Sequence, residues 1–350
     1  MKKTISILLV LLSVVTILNS CKKEAADPED TAASEPVESA TVESSLEDKS
    51  DDTQLPNEDP NYEFTLLTDG TYAINRFLNT DATEVSVPDT YNGKAVTKIM
   101  KDAFKNCSNL TVVLIPNSIQ EISEGAFFGC SALNSMSVPF IGKSRNESAS
   151  LGHFFGQTPY AGGQQVNHRY ITPDGYERQK PFYIPAGLKK VTVTDSIIKT
   201  YAFDSCAMLE ELVFGDGVTE IQANAFIECE KLERIHMGSG FTTIPDECFS
   251  FLLNLKSIVI GKNVTKIGRS AFDNCESLER VTIPYKVTVI EPYAFSGCKS
   301  LKSIAFECKT GWYRDYGVSS GTGMTVTDPE KNATNLTDYR EYVSDRWKRK

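Results

Sequence analysis

Apolar residues recur along this chain with a period of 23 residues. Each unit places a small residue before a phenylalanine, and a leucine follows six residues later. The phenylalanines are Phe203, Phe226, Phe249, Phe272 and Phe295, and the leucines are Leu209, Leu232, Leu255, Leu278 and Leu301. A repeat of this length is typical of a solenoid, because a single unit cannot bury its own apolar face and must stack on its neighbours.

Within one unit the pattern predicts three short elements. Val281 and Ile283 alternate with polar residues before Pro284, which predicts a short strand ending at a residue that cannot donate to a sheet. Residues 287–290 predict a second short extended stretch. The i, i+3 spacing of residues 294–301 predicts a short helix of one or two turns.

The same pattern occurs upstream at Phe104 and Phe127, which are again 23 residues apart. The 55 residues from Leu133 to Leu188 break the period, so one repeat carries an excursion at about residues 142–181. The nine candidate strands are 85–87, 113–115, 136–138, 191–193, 212–214, 235–237, 258–260, 281–283 and 304–306. At about 4.8 Å between neighbouring strands, the stack should be roughly 40 Å long.

Units such as SCAMLEELVFGDGVTEIQANAF and NCSNLTVVLIPNSIQEISEGAF resemble the BspA-type leucine-rich repeat, also called treponemal-type, across residues 62–306. The resemblance implies an α/β solenoid. This would be a right-handed leucine-rich repeat superhelix with short parallel strands on one face and short helical turns on the other. It further implies a bacterial cell-surface or secreted protein used for interaction and, in some members, adhesion, with no catalytic residues to transfer.

The N-terminus predicts export. Lys2 and Lys3 precede an apolar run over residues 5–18, which is typical of a signal peptide and too short to cross a bilayer as a helix. Residues 18–21, Leu-Asn-Ser-Cys, resemble the bacterial lipoprotein cleavage box. We therefore expect a signal peptide over residues 1–20, lipid attachment at Cys21, and a surface-exposed outer membrane lipoprotein. The alternative is ordinary secretion, with Cys21 incidental.

Acidic residues are concentrated just after Cys21. Residues 22–60 contain thirteen Asp and Glu against three Lys and almost no large apolar side chains, so we expect a disordered acidic tether over residues 21–60. Its charge equals the formal net charge of the chain, −10, and the remainder is close to neutral. The tether is interpreted as a solvated spacer, with a surface-export signal as the alternative. The near-neutral remainder predicts no nucleic-acid partner.

The nine cysteines of the chain admit two interpretations, disulfides or buried free thiols. Leu252 occupies the repeat cysteine position once and Cys248 occupies the alanine position, which favours apolar core residues. The chain has no Cys-x-x-Cys pair and its three histidines are scattered, so we expect no metal, no cofactor and no enzyme activity. An enzyme with a site in the excursion is the remote alternative.

Alternation along the strands places two rows of side chains on the open face of the sheet. The first row is Lys190, Glu211, Arg234, Ser257, Arg280 and Ser303, and the second is Thr192, Val213, His236, Val259, Thr282 and Ala305. Lys190, Glu211, Arg234, Arg280, His236 and Thr282 are the candidate ligand-binding residues of this face. A solvated sheet face with no ligand is the alternative.

The excursion is the second candidate surface, because long loops on a rigid scaffold often carry recognition. Phe154 and Phe155 are expected to pack inward, whereas Tyr160, Tyr170 and Tyr176 are expected to be exposed and available to a ligand.

The solenoid is predicted to occupy residues 61–310 and a C-terminal cap residues 311–350. Leu336, Tyr339, Val343 and Trp347 would lie on one face of a helix that covers the last repeat.

The sequence therefore predicts a non-catalytic cell-surface interaction module that binds host protein, other cells or glycan and is held to the membrane through Cys21. An accessory surface protein for capture of nutrients, glycan or peptide, is the alternative.

Overall fold

The computed structural model describes residues 59–147, 150–315, 326–337 and 345–350. All of them belong to one compact unit, Gln54–Lys350. The predicted signal peptide, Cys21 and nearly all of the predicted tether lie outside the described residues, as do Tyr339 and Val343. Among the described residues, no helix has the length and apolar character needed to cross a membrane.

Short strands make up most of the regular structure. In chain order they are β1 (Tyr62–Leu66), β2 (Tyr72–Phe77), β3 (Glu84–Ser86), β4 (Thr90–Tyr91), β5 (Lys94–Ile99), β6 (Val112–Leu114), β7 (Glu121–Ile122), β8 (Ser135–Val138), β9 (Gly163–Ile171), β10 (Glu177–Pro185), β11 (Lys190–Ile198), β12 (Glu211–Ile221), β13 (Arg234–Met237), β14 (Thr243–Ile244), β15 (Ser257–Val259), β16 (Lys266–Ile267), β17 (Arg280–Ile283), β18 (Val289–Ile290), β19 (Ser303–Phe306), β20 (Trp312–Asp315) and β21 (Arg346–Arg349). The helices within the described ranges are a 3-10 helix at Leu151–Phe154 and α1 at Pro329–Thr337.

One parallel sheet runs along the whole solenoid. Its nine strands pair in the order β3, β6, β8, β11, β12, β13, β15, β17 and β19, one strand from each repeat. All nine overlap the strands predicted from the period and begin one residue earlier, but β11 and β12 continue to Ile198 and Ile221, well past the predicted ends at residues 193 and 214. The excursion interrupts the sequence between β8 and β11 but not the sheet, because these two strands pair directly.

The second extended stretch of each repeat builds smaller sheets. The strands β14, β16 and β18 pair in parallel, with partners 23 residues apart such as Lys266 and Val289. At the other end of the solenoid, β1 pairs with β2 in antiparallel fashion and β2 continues in parallel to β5 and β7.

The predicted helix in each repeat is wrong. Residues 294–301 and their counterparts form turns, because two residues of each unit adopt positive φ, for example Ser270 (52°) and Asn274 (57°). Some of their amides bond across repeats, and those that bond within a repeat, such as the N–H of Cys275 to the carbonyl of Phe272, donate only three residues back. The N–H of Phe272 donates to the carbonyl of Ala294 at 2.8 Å. An α-helix requires donation four residues back along its own chain, so these turns cannot continue into one.

The core consists of side chains stacked from one repeat to the next. Phe226, which is 5% exposed, lies between Phe203 and Phe249, with ring centroids 5.8 and 5.6 Å away. A second stack joins Phe104 and Phe127 at 4.8 Å. The 3-10 helix bridges the two stacks, since its Phe154 carbonyl accepts from the N–H of Phe127. Phe154 and Phe155 are fully buried, as predicted.

The cysteines among the described residues are all free thiols, as the repeat pattern predicted. Seven of them are buried: Cys107, Cys130, Cys206, Cys229, Cys248, Cys275 and Cys298. They also contribute more than apolar volume. The thiol of Cys229 donates to the carbonyl of Phe203 at 3.1 Å, and three other repeats contain the same contact. The cysteine therefore links consecutive repeats, at the modest strength of an S–H donor.

The C-terminal residues pack on the last repeats in a different way from the prediction. Leu336 lies in α1, whereas Trp347 lies in strand β21, which pairs with β18 and β20. Leu336 and Trp347 therefore do not share a helical face. Trp347 is completely buried beside Phe306, and the side-chain amide of Asn332 in α1 donates to the carbonyl of Ile304.

Candidate binding surfaces

The two predicted rows lie in register on the open face of the main sheet. Lys190, Glu211, Arg234, Ser257, Arg280 and Ser303 are successive pairing partners. Thr192, Val213, His236, Thr282 and Ala305 occupy the adjacent row, with Val259 opposite His236. Because the side-chain period of a strand is two, both rows point away from the core.

The charged residues at one end of the first row are bound to one another. Glu211 accepts from Lys190 at 2.6 Å and from Arg234 at 3.1 Å, and Arg234 also contacts Glu233 at 3.2 Å. Burial opposes ionisation of Glu211, but its two cationic neighbours outweigh burial and lower its pKa. This end of the row is thus internally neutralised, which reduces its attraction for a charged ligand.

The other end of the face is more open. Arg280 is exposed and forms no ion pair with any described residue, and Thr282 is exposed beside it. Val259 is 47% exposed. Burial lowers the pKa of His236, so its ring is neutral at physiological pH. A guanidinium without an ion-pair partner can bind a carboxylate of a ligand, and the small and apolar side chains beside it can pack against an apolar group of the same ligand.

The excursion is folded as an antiparallel hairpin of β9 and β10. Tyr170 and Tyr176 are exposed near its tip, as predicted. Tyr160 departs from the prediction. Its ring packs edge-on against Phe128 at 5.3 Å, and its hydroxyl is buried. The cause is the turn before β9, which directs this side chain back onto the repeat that contains Phe128.

A buried ion pair, which the sequence did not indicate, fixes the hairpin to the solenoid. The guanidinium of Arg169 donates to Asp204 at 2.6 Å and to Glu228 at 2.7 Å, and its backbone N–H also donates to Asp204 at 2.6 Å. The Asp204 side chain is fully buried and accepts a further bond from Ser205. Burial raises the pKa of Asp204, although Arg169 opposes this.

No spacing in the sequence points to this contact, since Arg169 lies in the excursion and Asp204 in the next repeat, 35 residues later. The histidines are also explained by tertiary contacts. His153 is buried and bonded to the carbonyl of Ile122 at 2.9 Å, and His168 is buried on the inner side of the hairpin. Within the described residues, no group of three or more His, Cys, Asp or Glu could hold a metal ion.

The fold and the repeat contacts define a leucine-rich repeat solenoid. The sequence profile of the BspA type leucine-rich repeat region matches six copies over residues 73–149 and 179–312. This match covers more than half of the chain, so the chain belongs to the BspA-type leucine-rich repeat family. No curated protein sequence matches the chain.

Several bacterial crystal structures are similar to it. A leucine-rich cell surface protein of Faecalibacterium prausnitzii has 21% identity, with 73% of this chain and 96% of that chain covered and a TM-score of 0.34. The leucine-rich repeat protein of T. pallidum has 20% identity, coverage of 64% and 90%, and a TM-score of 0.35. The pneumococcal vaccine antigen PcpA has 17% identity, coverage of 71% and 87%, and a TM-score of 0.31.

Proposed function

We propose that the protein is a non-catalytic interaction module of the bacterial cell surface that binds a protein or glycan on the open face of its main sheet. Membership of the leucine-rich repeat family supports a binding role, since such solenoids are generally binding modules. The names of two similar proteins, a cell surface protein and a vaccine antigen, support a surface location. Adhesion to host protein, other cells or glycan is the specific role that we favour.

The observation that carries the proposal is the continuous register of the two rows. Eight intervals between nine strands give a face roughly 38 Å long at about 4.8 Å per strand. The stacked core below makes the face rigid, so a ligand does not have to order it on binding. Arg280, Thr282 and Val259 form the part of the face where charge is not already neutralised, and we place the ligand there.

Two further features belong to the same proposal. We expect the solenoid to be right-handed, because strand-crossover-strand connections within one parallel sheet nearly always are.

We also expect lipid attachment at Cys21 to hold the solenoid at the outer membrane, with residues 22–60 as the spacer. A Cys21→Ala variant should then accumulate as an unprocessed precursor and lose detergent partitioning. Normal processing with unchanged partitioning would contradict the anchor.

The test of the binding face is a screen of residues 61–350 against extracellular-matrix proteins and glycan arrays, followed by variants of the face. Arg280→Glu should weaken binding of the ligand that the screen identifies by about tenfold or more, because it replaces an attraction with a repulsion. Its melting temperature should change little, since exposed substitutions usually alter stability by about ±0.5 kcal/mol. Lys101→Glu is the matched control, because it makes the same charge change at an exposed turn outside the sheet.

The outcomes separate the alternatives. Loss of binding in Arg280→Glu but not in Lys101→Glu supports the sheet face. Equal binding by both variants, with loss only when the exposed Tyr170 and Tyr176 of the hairpin are replaced by alanine, would place recognition on the hairpin. Recovery of oligosaccharides alone, with no macromolecular ligand, would favour nutrient capture over adhesion, and turnover of a ligand would contradict the non-catalytic role.

A further inference from the structure

Charge is distributed unevenly along the chain after the tether. Residues 61–255 carry 15 basic and 22 acidic side chains, a net charge of −7, whereas residues 256–350 carry 16 basic and 11 acidic side chains, a net charge of +5. The near-neutral total therefore conceals a positive C-terminal part. A local excess of one sign attracts ligands of the opposite sign and raises their local concentration.

Three lysines of this positive part lie along one edge of the solenoid. Lys262, Lys286 and Lys309 occupy the turns directly after β15, β17 and β19, one in each of three successive repeats. The first two turns contain the same hydrogen bond, from the N–H of the fourth residue to the carbonyl of the first. At about 4.8 Å between repeats, this lysine row is roughly 10 Å long. The two preceding repeats have Asp216 and Ser239 at the position of Lys262, so the row begins only here.

The lysine row is exposed, and most of its charge is uncompensated. All three side chains are exposed, and none forms an ion pair with another described residue. The ammonium of Lys286 donates to the side-chain oxygen of Asn263 at 2.6 Å, and this neutral partner leaves its charge in place. Asp216 lies near Lys262 and offsets part of the charge at that end of the row.

An exposed aromatic ring lies in the middle of the lysine row. Tyr285 directly precedes Lys286 and is 63% exposed. The guanidinium of Arg349 lies 5.1 Å from the ring centroid of Tyr285, and it forms no ion pair with another described residue. Glu307 accepts from the backbone N–H of Tyr285 at 2.8 Å and offsets one of these cations. Four cations therefore face two carboxylates here, Glu307 and Asp216, beside an exposed ring.

We propose that the lysine row binds a short segment of an acidic polysaccharide that carries a carboxylate or a sulfate on successive sugars. The ammonium groups bind the anions, and Tyr285 packs on the apolar face of one sugar. The spacing of the repeats is comparable with the length of one pyranose unit, so a linear chain of about three sugars presents one anion to each lysine. The proposal rests on the proposed surface location, where glycans are available, and not on the ligand of the sheet face.

Two other anionic partners fit these observations less well. A long, stiff nucleic-acid duplex would extend from the lysine row over residues 61–255, whose net charge of −7 repels it. Attraction to an anionic membrane typically uses a cluster of about four to eight basic residues. The lysine row supplies three exposed lysines in a single line, which suits a linear chain better than a plane of head groups.

The test uses the protein without its predicted signal peptide, with binding measured by calorimetry and saturation-transfer NMR. The probes are trigalacturonate, a chondroitin sulfate oligosaccharide, and methyl-esterified trigalacturonate, which is neutral. We expect at least one acidic probe to bind about tenfold or more tightly than the neutral ester, and the tighter acidic probe identifies the anion. Raising the ionic strength from about 0.01 to about 0.1 M shortens the Debye length from about 30 to about 10 Å and should weaken binding several-fold. Equal binding of the neutral ester, or no binding of either acidic probe, would overturn the proposal.

Two variants test the roles of the residues. Lys286→Glu should weaken binding of the acidic oligosaccharide by about tenfold, because it reverses the central charge of the row. The matched control Lys231→Glu makes the same change at an exposed lysine outside the row and should alter binding by no more than about twofold. Tyr285→Ser should weaken binding of the oligosaccharide but not of tripolyphosphate, which carries anions without a sugar ring.

The remaining outcomes would overturn the proposal. Equal losses in Lys286→Glu and Lys231→Glu would show a diffuse attraction to the whole C-terminal part. Tighter binding of a single-stranded oligonucleotide, or of phosphatidylglycerol vesicles, than of either oligosaccharide would assign the lysine row to that partner instead. The sheet face is tested separately by Arg280→Glu, so failure of the lysine row is distinguishable from failure of the sheet-face proposal.

Discussion

Removal of Arg169 should destabilise the hairpin far more than removal of an exposed arginine, because it leaves the buried carboxylate of Asp204 without its cation. The Asp204 side chain has no exposed surface, and two bonds of 2.6 Å join it to Arg169, one from the side chain and one from the backbone. An Arg169→Leu variant keeps the backbone bond and the bond from Ser205, but not the charge.

Removing one partner of a buried ion pair typically costs about 3–5 kcal/mol. The two bonds that remain on Asp204 place our expectation at the lower end, at about 3 kcal/mol. Burial already raises the pKa of Asp204 in the folded protein, and the loss of Arg169 must raise it further. A raised carboxyl pKa favours the protonated form, so folding is more stable below that pKa and loses stability as the pH rises through it. The defect of Arg169→Leu should therefore be largest near neutral pH and decrease on acidification.

The assay is urea unfolding followed by circular dichroism at several pH values, with hydrogen exchange of the β9 and β10 amides. Arg178→Leu is the control, since Arg178 lies on the same hairpin but is exposed, and its change should stay within about 0.5 kcal/mol. The double variant Arg169→Leu with Asp204→Leu should recover much of the loss, because it leaves no unpaired buried charge. Wild-type stability for the single variant at neutral pH, or a double variant less stable than the single one, would refute this reasoning.

Three other predictions follow from the repeat contacts. Phe226→Ala should lower the free energy of unfolding by about 3–5 kcal/mol, because it leaves a cavity between two stacked rings. The control Phe251→Ala, at a ring that is 66% exposed, should change the free energy of unfolding by about 0.5 kcal/mol or less. Equal effects of the two variants in urea unfolding would contradict the stabilising role of the phenylalanine stack. Thiol labelling of the native solenoid over residues 61–350 should modify Cys308 first, because a backbone hydrogen bond with Thr310 is the main cause that lowers its pKa. The seven buried cysteines should react only after unfolding, and no reductant should be needed, since they are free thiols. Finally, burial disfavours ionisation of Glu291, but Lys266 and Arg346 outweigh burial and lower its pKa. The stability that Glu291 contributes is therefore present above its pKa in the unfolded chain and is lost as the pH falls through its lower pKa in the folded protein. In Glu291→Gln, hydrogen-exchange protection of β21 should lose this acid dependence, and an unaltered dependence would count against the contact.

The sequence by itself determined the repeat, the nine strands and the two rows, because these depend on a period of 23 residues and on the alternation of side chains along a strand. The same period identified the buried phenylalanines and favoured core positions for the cysteines, since in one unit Leu252 takes the cysteine position and Cys248 takes the alanine position. Local pattern suffices where every repeat makes the same contact with the next.

Only the tertiary structure decided the features that break this regularity. The i, i+3 spacing at Phe295 is shared by helices and by turns with two left-handed residues, and the amide bonds between repeats select the turns. Likewise, Arg169 and Asp204 meet because the hairpin folds back over the next repeat, and Trp347 lies on a strand because β18 offers a free edge. Such contacts join residues far apart in sequence and occur once, so no period records them.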